Sequence, residues 1–188
     1  MEKEAYKKAA SLVLSECEQA LQAIDPEKIS AYIKAITEAK RIFFVGVGRV
    51  MLSLEAIAKR YAHLGLDTVV VGQITEPALT SEDILVVGSG SGETMFPLGI
   101  AKKAKEIGAK VIHIGSNPHS RMNENSDLFL RIPVESRAKE ADEISSGQPM
   151  TSLFEQSLLL FGDITALMMI WERNLDLEQL WEYHANLE

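Results

Sequence analysis

The segment with the clearest chemical capacity is a loop in which glycines alternate with hydroxyl residues, Gly88-Ser89-Gly90-Ser91-Gly92-Glu93-Thr94. It lies between an apolar run at 84–87 and a segment of helical composition at 95–107. In a parallel sheet, ligands bind where strands end, and the following helix offers free N–H donors. The pattern predicts a phosphate-binding loop, although a flexible turn that caps the helix would have a similar composition. The residues expected to contact the anion are Ser89, Gly90, Ser91, Gly92 and Thr94.

A second glycine-containing loop, Gly46-Val47-Gly48-Arg49, follows an earlier apolar run. It begins like a dinucleotide fingerprint, but Met51 occupies the third glycine position and Gln73 stands where a ribose-binding carboxylate is needed. We therefore expect no NAD. A triphosphate P-loop is also missing from the sequence. Gly48 is expected to form a tight turn, and Arg49 would point either into the same crevice as the Ser-rich loop or into solvent.

Glu155 is the candidate proton acceptor. It lies near the start of an apolar segment, 151–171, where partial removal from water would make a carboxylate a better base. A carboxylate at this position could equally complement the helix N-terminus.

The histidines supply candidates for proton transfer, since imidazole donates and accepts protons near neutral pH. His184 is preferred because the apolar residues before it indicate a docked tail, and His63 could be catalytic or a partner of a helix C-terminus. His113 lies in a strand pattern and is expected to be structural. The four histidines are scattered and Cys17 is the single cysteine, so we expect no metal site and no internal disulfide.

The elements that position these residues follow from hydrophobic spacing. Continuous apolar runs at 41–45, 68–71, 84–87, 111–114 and 128–132 are typical of parallel strands that are covered on both faces. Helical segments separate most of the runs. The sequence therefore predicts an α/β fold, a three-layer αβα sandwich with a doubly wound parallel five-stranded sheet. We expect one domain over 1–188, with N-terminal helices in 1–40, the α/β core in 41–132 and C-terminal helices and tail in 151–188.

Charge and composition restrict the partners. The 188 residues include 27 acidic residues and 19 Lys or Arg, and the net charge of -8 disfavours nucleic acid and anionic membranes. The N-terminus lacks a signal-peptide core, and the most apolar run, 158–171, is shorter than the roughly 20 residues that cross a bilayer. These observations predict a cytoplasmic protein. The apolar excess in the first helix and in 158–171 predicts a homo-oligomer, either dimer or tetramer.

Several segments, in order, resemble the 6-phospho-3-hexuloisomerase family, whose members have the sugar-isomerase (SIS) fold. The resemblance covers about residue 41 to the C-terminus. The segments are Phe44-Val45-Gly46-Val47-Gly48-Arg49, Tyr61-Ala62-His63-Leu64-Gly65, the Ser-rich loop, Gln148-Pro149-Met150 with Leu153-Phe154-Glu155-Gln156, and His184-Ala185-Asn186-Leu187-Glu188.

The resemblance implies an enzyme of carbohydrate metabolism that interconverts 3-hexulose 6-phosphate and fructose 6-phosphate in the ribulose monophosphate route of formaldehyde fixation. It also implies tetramers that need no metal or organic cofactor. Moving the carbonyl between C3 and C2 requires proton transfer through a 2,3-enediol, with Glu155 as base and His184 as shuttle.

Two positions depart from the family. Val50 stands where the family has Ser, and Thr151 where it has Gly. These departures leave two alternatives open: a non-catalytic sugar-phosphate sensor and an isomerase of another sugar phosphate.

Overall fold

The five expected strands form one parallel sheet. In a computed structural model, which describes residues 2–136 and 139–187, the strand order is β2-β1-β3-β4-β5. The strands are β1 (Ile42–Val45), β2 (Thr68–Val70), β3 (Ile84–Gly88), β4 (Lys110–Gly115) and β5 (Leu128–Arg131). Every residue of β1 and β3 is buried, as their continuously apolar sequences require. The predicted α/β class and parallel sheet are confirmed.

In the described part of the chain, six helices surround the sheet. They are α1 (Glu2–Gln22), α2 (Pro26–Glu38), α3 (Gly48–Ala62), α4 (Met95–Ile107), α5 (Arg121–Glu124) and α6 (Ser152–Arg173), and a 3-10 helix (Gln179–Tyr183) precedes the C-terminal tail. The Asp25 carboxylate accepts a hydrogen bond from the Glu27 N–H at 2.8 Å, which caps α2 as the sequence predicts. Glu188, the last residue of the tail motif, lies outside the described residues.

Side chains alternate between the two faces of the sheet and build two hydrophobic cores. Phe44 and Val86 face a layer that contains α1, α2, α3 and α6. Phe43 and Val87 face the opposite layer, which contains α4 and α5. The chain therefore has the three layers that the sequence predicts.

Helix α6 is the central helix of the larger layer. It extends beyond the apolar run at 158–171, and its 22 residues are long and apolar enough to span a membrane by length and composition alone. More than half of its most apolar window is buried within the protein. In its middle, the Thr165 and Tyr61 hydroxyls share a hydrogen bond at 2.6 Å, which joins α6 to α3. Its apolar composition is thus that of a core helix.

The closest approach of α3 and α6 occurs at a glycine. A Cβ on Gly162 would lie 2.2 Å from Cγ1 of the buried Ile57. Since Cγ1 is close to the backbone, this atom cannot move without shifting α3. We therefore expect Gly162→Ala to lower the free energy of unfolding by about 1–3 kcal/mol, measured by urea denaturation.

Gly99→Ala in α4 is the matched control. A Cβ at Gly99 meets no atom within 4 Å, so alanine should stabilise the helix by up to about 1 kcal/mol. Equal stability of Gly162→Ala and the wild type would show that the two helices do not pack as closely as described.

Candidate functional site

A cavity of about 750 Å³ lies at the carboxyl ends of β1, β3 and β4. Its wall comes from four places: the loop after β1 (47–50), the Ser-rich loop (88–94), the loop after β4 (116–117), and residues 135–136 with the start of α6. The volume suits a small-molecule ligand. The loops that the sequence singles out therefore meet at one cavity because parallel strands end at one edge.

Hydroxyl groups hold the Ser-rich loop in shape. The Ser89 hydroxyl accepts a hydrogen bond from the Gly92 N–H at 3.1 Å and shares another with the Thr94 hydroxyl at 3.3 Å. The Ser91 hydroxyl accepts from the Glu93 N–H at 3.3 Å. The hydroxyl groups that were predicted to donate to the anion therefore also stabilise the loop itself.

Backbone amides of the same loop remain available for a ligand. In the described part of the chain, the N–H groups of Gly90, Ser91 and Thr94 have no hydrogen-bond acceptor, and all three residues line the cavity. Thr94 is the N-cap of α4, but its side chain makes no capping hydrogen bond. These amides lie at the positive end of the helix dipole, where an anion is stabilised.

Glu155 and Arg49 meet on the wall of this cavity. Arg49 Nε donates a hydrogen bond to Glu155 Oε2, and the Thr151 hydroxyl donates to Oε1 at 2.7 Å. Glu155 is only 8% exposed, and its backbone carbonyl accepts from the Ser53 hydroxyl at 2.9 Å. Arg49 lines the crevice, which is one of its two expected positions, while 62% of its side chain remains exposed to solvent. The carboxylate is held by two donors and is close to the Ser-rich loop.

Gly48 begins α3 in the left-handed region, with φ of +58°. This turn directs the next residue, Arg49, from the end of β1 towards α6. Val50, which follows, packs its Cγ1 close to Gly88 on the cavity floor. It presents a methyl group there, so this position offers no side-chain hydroxyl to a ligand.

His63 and His184 lie together but away from Glu155. Their rings stack with centroids 5.2 Å apart, in a separate cavity of about 400 Å³ that Arg60 and Trp181 also line. Arg49 lies in the first turn of α3, whereas His63 follows its last turn. At 1.5 Å per residue these ends are about 21 Å apart. Within one chain, therefore, the histidine pair does not reach the cavity that holds Glu155.

Glu16 of α1 contributes an interaction that sequence reasoning missed. Its buried carboxylate accepts hydrogen bonds from the Ser146 hydroxyl at 2.7 Å, the Gly147 N–H at 2.8 Å and the Gln148 side chain at 2.9 Å. Burial raises the pKa of Glu16, but the three hydrogen bonds together lower it by more than burial raises it. The pKa of Glu16 is therefore below its ordinary value. Glu16 fixes the segment that leads into α6. The one indication in the sequence was that Glu16 is next to Cys17, a residue on the buried side of α1.

Further cavity residues also escaped prediction. Asn117 donates from its side chain to the Ser91 carbonyl at 3.2 Å, and Ser116, Glu135 and Ser136 belong to the wall. They lie in irregular segments without a periodic pattern. Glu93, in the Ser-rich loop, precedes the first turn of α4. Its carboxylate accepts hydrogen bonds from Arg121, through the backbone N–H at 2.8 Å and the guanidinium at 2.5 Å.

Comparisons with known proteins agree on one family. The SIS domain family matches residues 35–161. A 3-hexulose-6-phosphate isomerase of Bacillus subtilis (strain 168) is 35% identical over 94% of this chain and 95% of its own length. One from Mycobacterium gastri is 35% identical over 95% of this chain and 89% of its own length.

A solved structure from Methanococcus jannaschii has a similar fold. It superimposes with a TM-score of 0.83 at 30% identity, over 96% of this chain and 99% of that one, and its inferred function is 3-hexulose-6-phosphate isomerase.

The shape of the Ser-rich loop depends on Gly92. Its φ is +64°, and a Cβ there would lie 2.2 Å from the Ser120 hydroxyl oxygen. We expect Gly92→Ala to lower the free energy of unfolding by about 2–4 kcal/mol, from backbone strain and the clash together.

The control is Gly90→Ala in the same loop. Its Cβ would make an ordinary contact with Phe154 at 3.4 Å, so we expect a loss below about 1 kcal/mol. Urea midpoints of the two variants give the comparison. If both lose the same stability, the left-handed conformation of Gly92 is not what holds the loop.

Proposed function

The chain belongs to the SIS domain family, and we propose from this membership and from the cavity that it is a sugar-phosphate isomerase. The substrates are 3-hexulose 6-phosphate and fructose 6-phosphate. Relatives of that activity match nearly the whole chain at 35% identity. The observation that carries the proposal is a buried carboxylate, Glu155, held beside a loop with free amide donors in one cavity.

The phosphate group binds to the Ser-rich loop in this proposal. The Gly90, Ser91 and Thr94 amides donate to its oxygens, and the dipole of α4 adds a favourable field. The Ser89 and Ser91 hydroxyls can add further donors, and Gly92 keeps the backbone close to the anion. Each hydrogen bond to a charged group contributes about 1.5–3 kcal/mol. Several of these bonds bind a phosphate without lysine.

Glu155 acts as the general base. In the direction of fructose 6-phosphate formation, its carboxylate removes the proton from C2, and a 2,3-enediol forms. The protonated Glu155 then delivers a proton to C3, a shuttle moves the hydroxyl proton between the two oxygens, and the carbonyl is left at C2. Arg49, hydrogen-bonded to Glu155, places a positive charge beside the oxygens that become negative in the enediolate. Thr151 holds the other carboxylate oxygen and so fixes the orientation of the base.

His184, with His63, shuttles the proton between the substrate hydroxyls from a second copy of the chain. The distance along α3 keeps these histidines from the Glu155 of their own chain. Exposed apolar side chains lie where a second copy can pack. On α6 these are Ile164, Leu167 and Trp171, and Trp181 lies beside His184. A homo-oligomer, dimer or tetramer, covers this surface.

The proposed role of the whole chain is that of one SIS domain in cytoplasmic carbohydrate metabolism, in the ribulose monophosphate pathway. Its partners are then a sugar phosphate and further copies of itself. No nucleic acid or membrane is required for the reaction.

Hydrogen exchange tests the reaction. Incubation of the protein with fructose 6-phosphate in deuterated water should replace the C3 hydrogen, because the enediol returns a solvent-derived proton there. Glu155→Gln should reduce the exchange rate by about 10²–10⁴-fold, measured by proton NMR of the sugar. Glu172→Gln, an exposed carboxylate at the other end of α6, is the control and should exchange at the wild-type rate.

The other outcomes discriminate between the alternatives. Binding of fructose 6-phosphate without exchange would identify a sensor, an alternative motivated by Val50 and Thr151. Exchange with a five- or seven-carbon ketose phosphate, and not with fructose 6-phosphate, would assign another substrate.

A composite site predicts complementation between inactive variants. Co-expressed Glu155→Gln and His184→Gln chains should form mixed oligomers in which some sites have both native residues. We expect about a quarter of wild-type activity for random pairing. Co-expressed Glu155→Gln and Arg49→Ala chains are the control, since both changes affect the same side of each site. The composite site would be excluded if the first mixture stayed as inactive as the second.

A further inference from the structure

The start of the Ser-rich loop is hydrogen-bonded to a histidine side chain. His113, in β4, is fully buried. Its Nε2 lies 2.9 Å from the Ser89 carbonyl oxygen, and its Nδ1 lies 2.8 Å from Oδ1 of Asn123. The ring also stacks on Phe129, with centroids 4.9 Å apart. His113 is therefore fixed in place and joined to the loop that is proposed to bind phosphate.

Both ring nitrogens face hydrogen-bond acceptors. The Ser89 carbonyl can only accept, and it also accepts a hydrogen bond from the Gly92 N–H at 3.2 Å. The side chain of Asn123 donates from Nδ2 to the Pro118 carbonyl at 2.7 Å, which leaves the amide oxygen facing His113 Nδ1. A neutral imidazole carries one N–H and satisfies one of these two acceptors, whereas an imidazolium satisfies both. The geometry of the ring's surroundings thus suits the charged form.

Burial acts against that form. It lowers the pKa of His113 below the ordinary value of 6.5, although the hydrogen bonds with Asn123 and Ser89 raise it in part. At neutral pH the unliganded ring is neutral, and one of the two acceptors that face it therefore receives no hydrogen bond from the ring.

Charged groups on the surrounding elements are engaged elsewhere. The Ser-rich loop carries Glu93 and α5 begins with Arg121, and these two form an ion pair on the outside of the loop. The other ion pairs near this part of the fold are Lys105–Asp127, Arg131–Asp142 and His119–Glu140. Among the described residues none of these groups is a hydrogen-bond partner of the His113 ring, and the paired residue of β3, Val87, is apolar. An anion that binds to the loop would therefore interact with the His113 ring without a neighbouring charged group that is bonded to the ring.

One peptide group links His113 to the cavity. The Ser89 carbonyl points at His113 Nε2, and in a trans peptide the Gly90 N–H points the opposite way. Gly90 lines the cavity, and its N–H has no acceptor in the described structure. An anion at Gly90 and a proton on Nε2 would bind to opposite ends of the same dipole. Each therefore strengthens the other.

We propose that His113 is a positioning residue of the phosphate site, and that it takes up a proton when a phosphate monoester dianion binds to the Ser-rich loop. This inference rests on the proposed function, because it requires a sugar phosphate at that loop. His113 does not touch the ligand. It acts through the Ser89–Gly90 peptide.

The sign of the pH effect follows from linkage. Anion binding raises the pKa of His113, so the loaded protein holds one more proton than the free protein between the two pKa values. In that window the affinity falls as pH rises, by up to about tenfold per pH unit. Measurements above about pH 7 keep the phosphate dianionic, since its own second pKa is about 6.

Nitrogen NMR of wild-type protein with labelled backbone amides and histidine rings tests the inference directly. At about pH 7.5 the phosphate is a dianion. Without ligand, His113 should show one protonated and one unprotonated ring nitrogen. With saturating fructose 6-phosphate it should show two protonated nitrogens. Calorimetric titrations in two buffers of different ionisation enthalpy should give an uptake that approaches one proton per bound sugar phosphate.

His113→Gln and His119→Gln form the variant pair. His113→Gln should bind fructose 6-phosphate more weakly and without the linked proton uptake. His119, an exposed loop histidine, is the control, and its variant should keep the wild-type uptake. The NMR measurement on the wild type does not depend on whether His113→Gln folds.

The outcomes separate this inference from the proposed function. If fructose 6-phosphate causes no change at Ser89, Ser91 or His113, the proposed phosphate site fails. If the loop amides respond but His113 has the same protonation state with and without ligand, the inference is overturned and the proposed function stands.

Discussion

The structure depends on one backbone constraint, the left-handed conformation of Gly92 between β3 and α4. It lets the chain turn sharply enough for the Gly92 N–H to reach the Ser89 hydroxyl. The same turn keeps the amides of residues 90, 91 and 94 on the cavity side. A side chain at Gly92 has no room because Ser120 and His113 pack against it. The donors are thus positioned by steric exclusion before any ligand arrives, which reduces the entropy lost on binding.

Helix α6 provides the second half of the site. Its first turn carries Glu155, and its middle packs against α3 so closely that only glycine fits at position 162. Because Arg49 lies at the start of α3, this packing determines where the guanidinium meets the carboxylate. Glu16, in α1, holds the segment before α6 in place by accepting hydrogen bonds from it. The orientation of the base is therefore a consequence of helix packing and not of the local sequence around residue 155.

The two groups of proposed catalytic residues illustrate the limits of sequence reasoning. Glu155 and the Ser-rich loop were predicted separately and lie in one cavity, because the packing of α6 against α3 brings the start of α6 to the edge where β3 ends. His63 and His184 were also predicted separately and also lie together. That these pairs occupy different cavities could not be predicted, because it depends on the length and direction of α3. His113 was expected to be structural from its strand pattern, and its contact with Ser89 required the three-dimensional path of the loop.

By itself the sequence determined the strands, the helices and the parallel sheet, because continuous apolar runs and three- to four-residue spacing are local consequences of burial. It also predicted an anion-binding loop at 88–94, because backbone amides freed by glycine and the hydroxyl groups of serine and threonine are local donors. Only the tertiary structure decided that Arg49 pairs with Glu155, 106 positions away, and that Glu16 holds residues 146–148. These contacts join elements far apart in the chain. Their geometry depends on how whole helices pack, which no local pattern records.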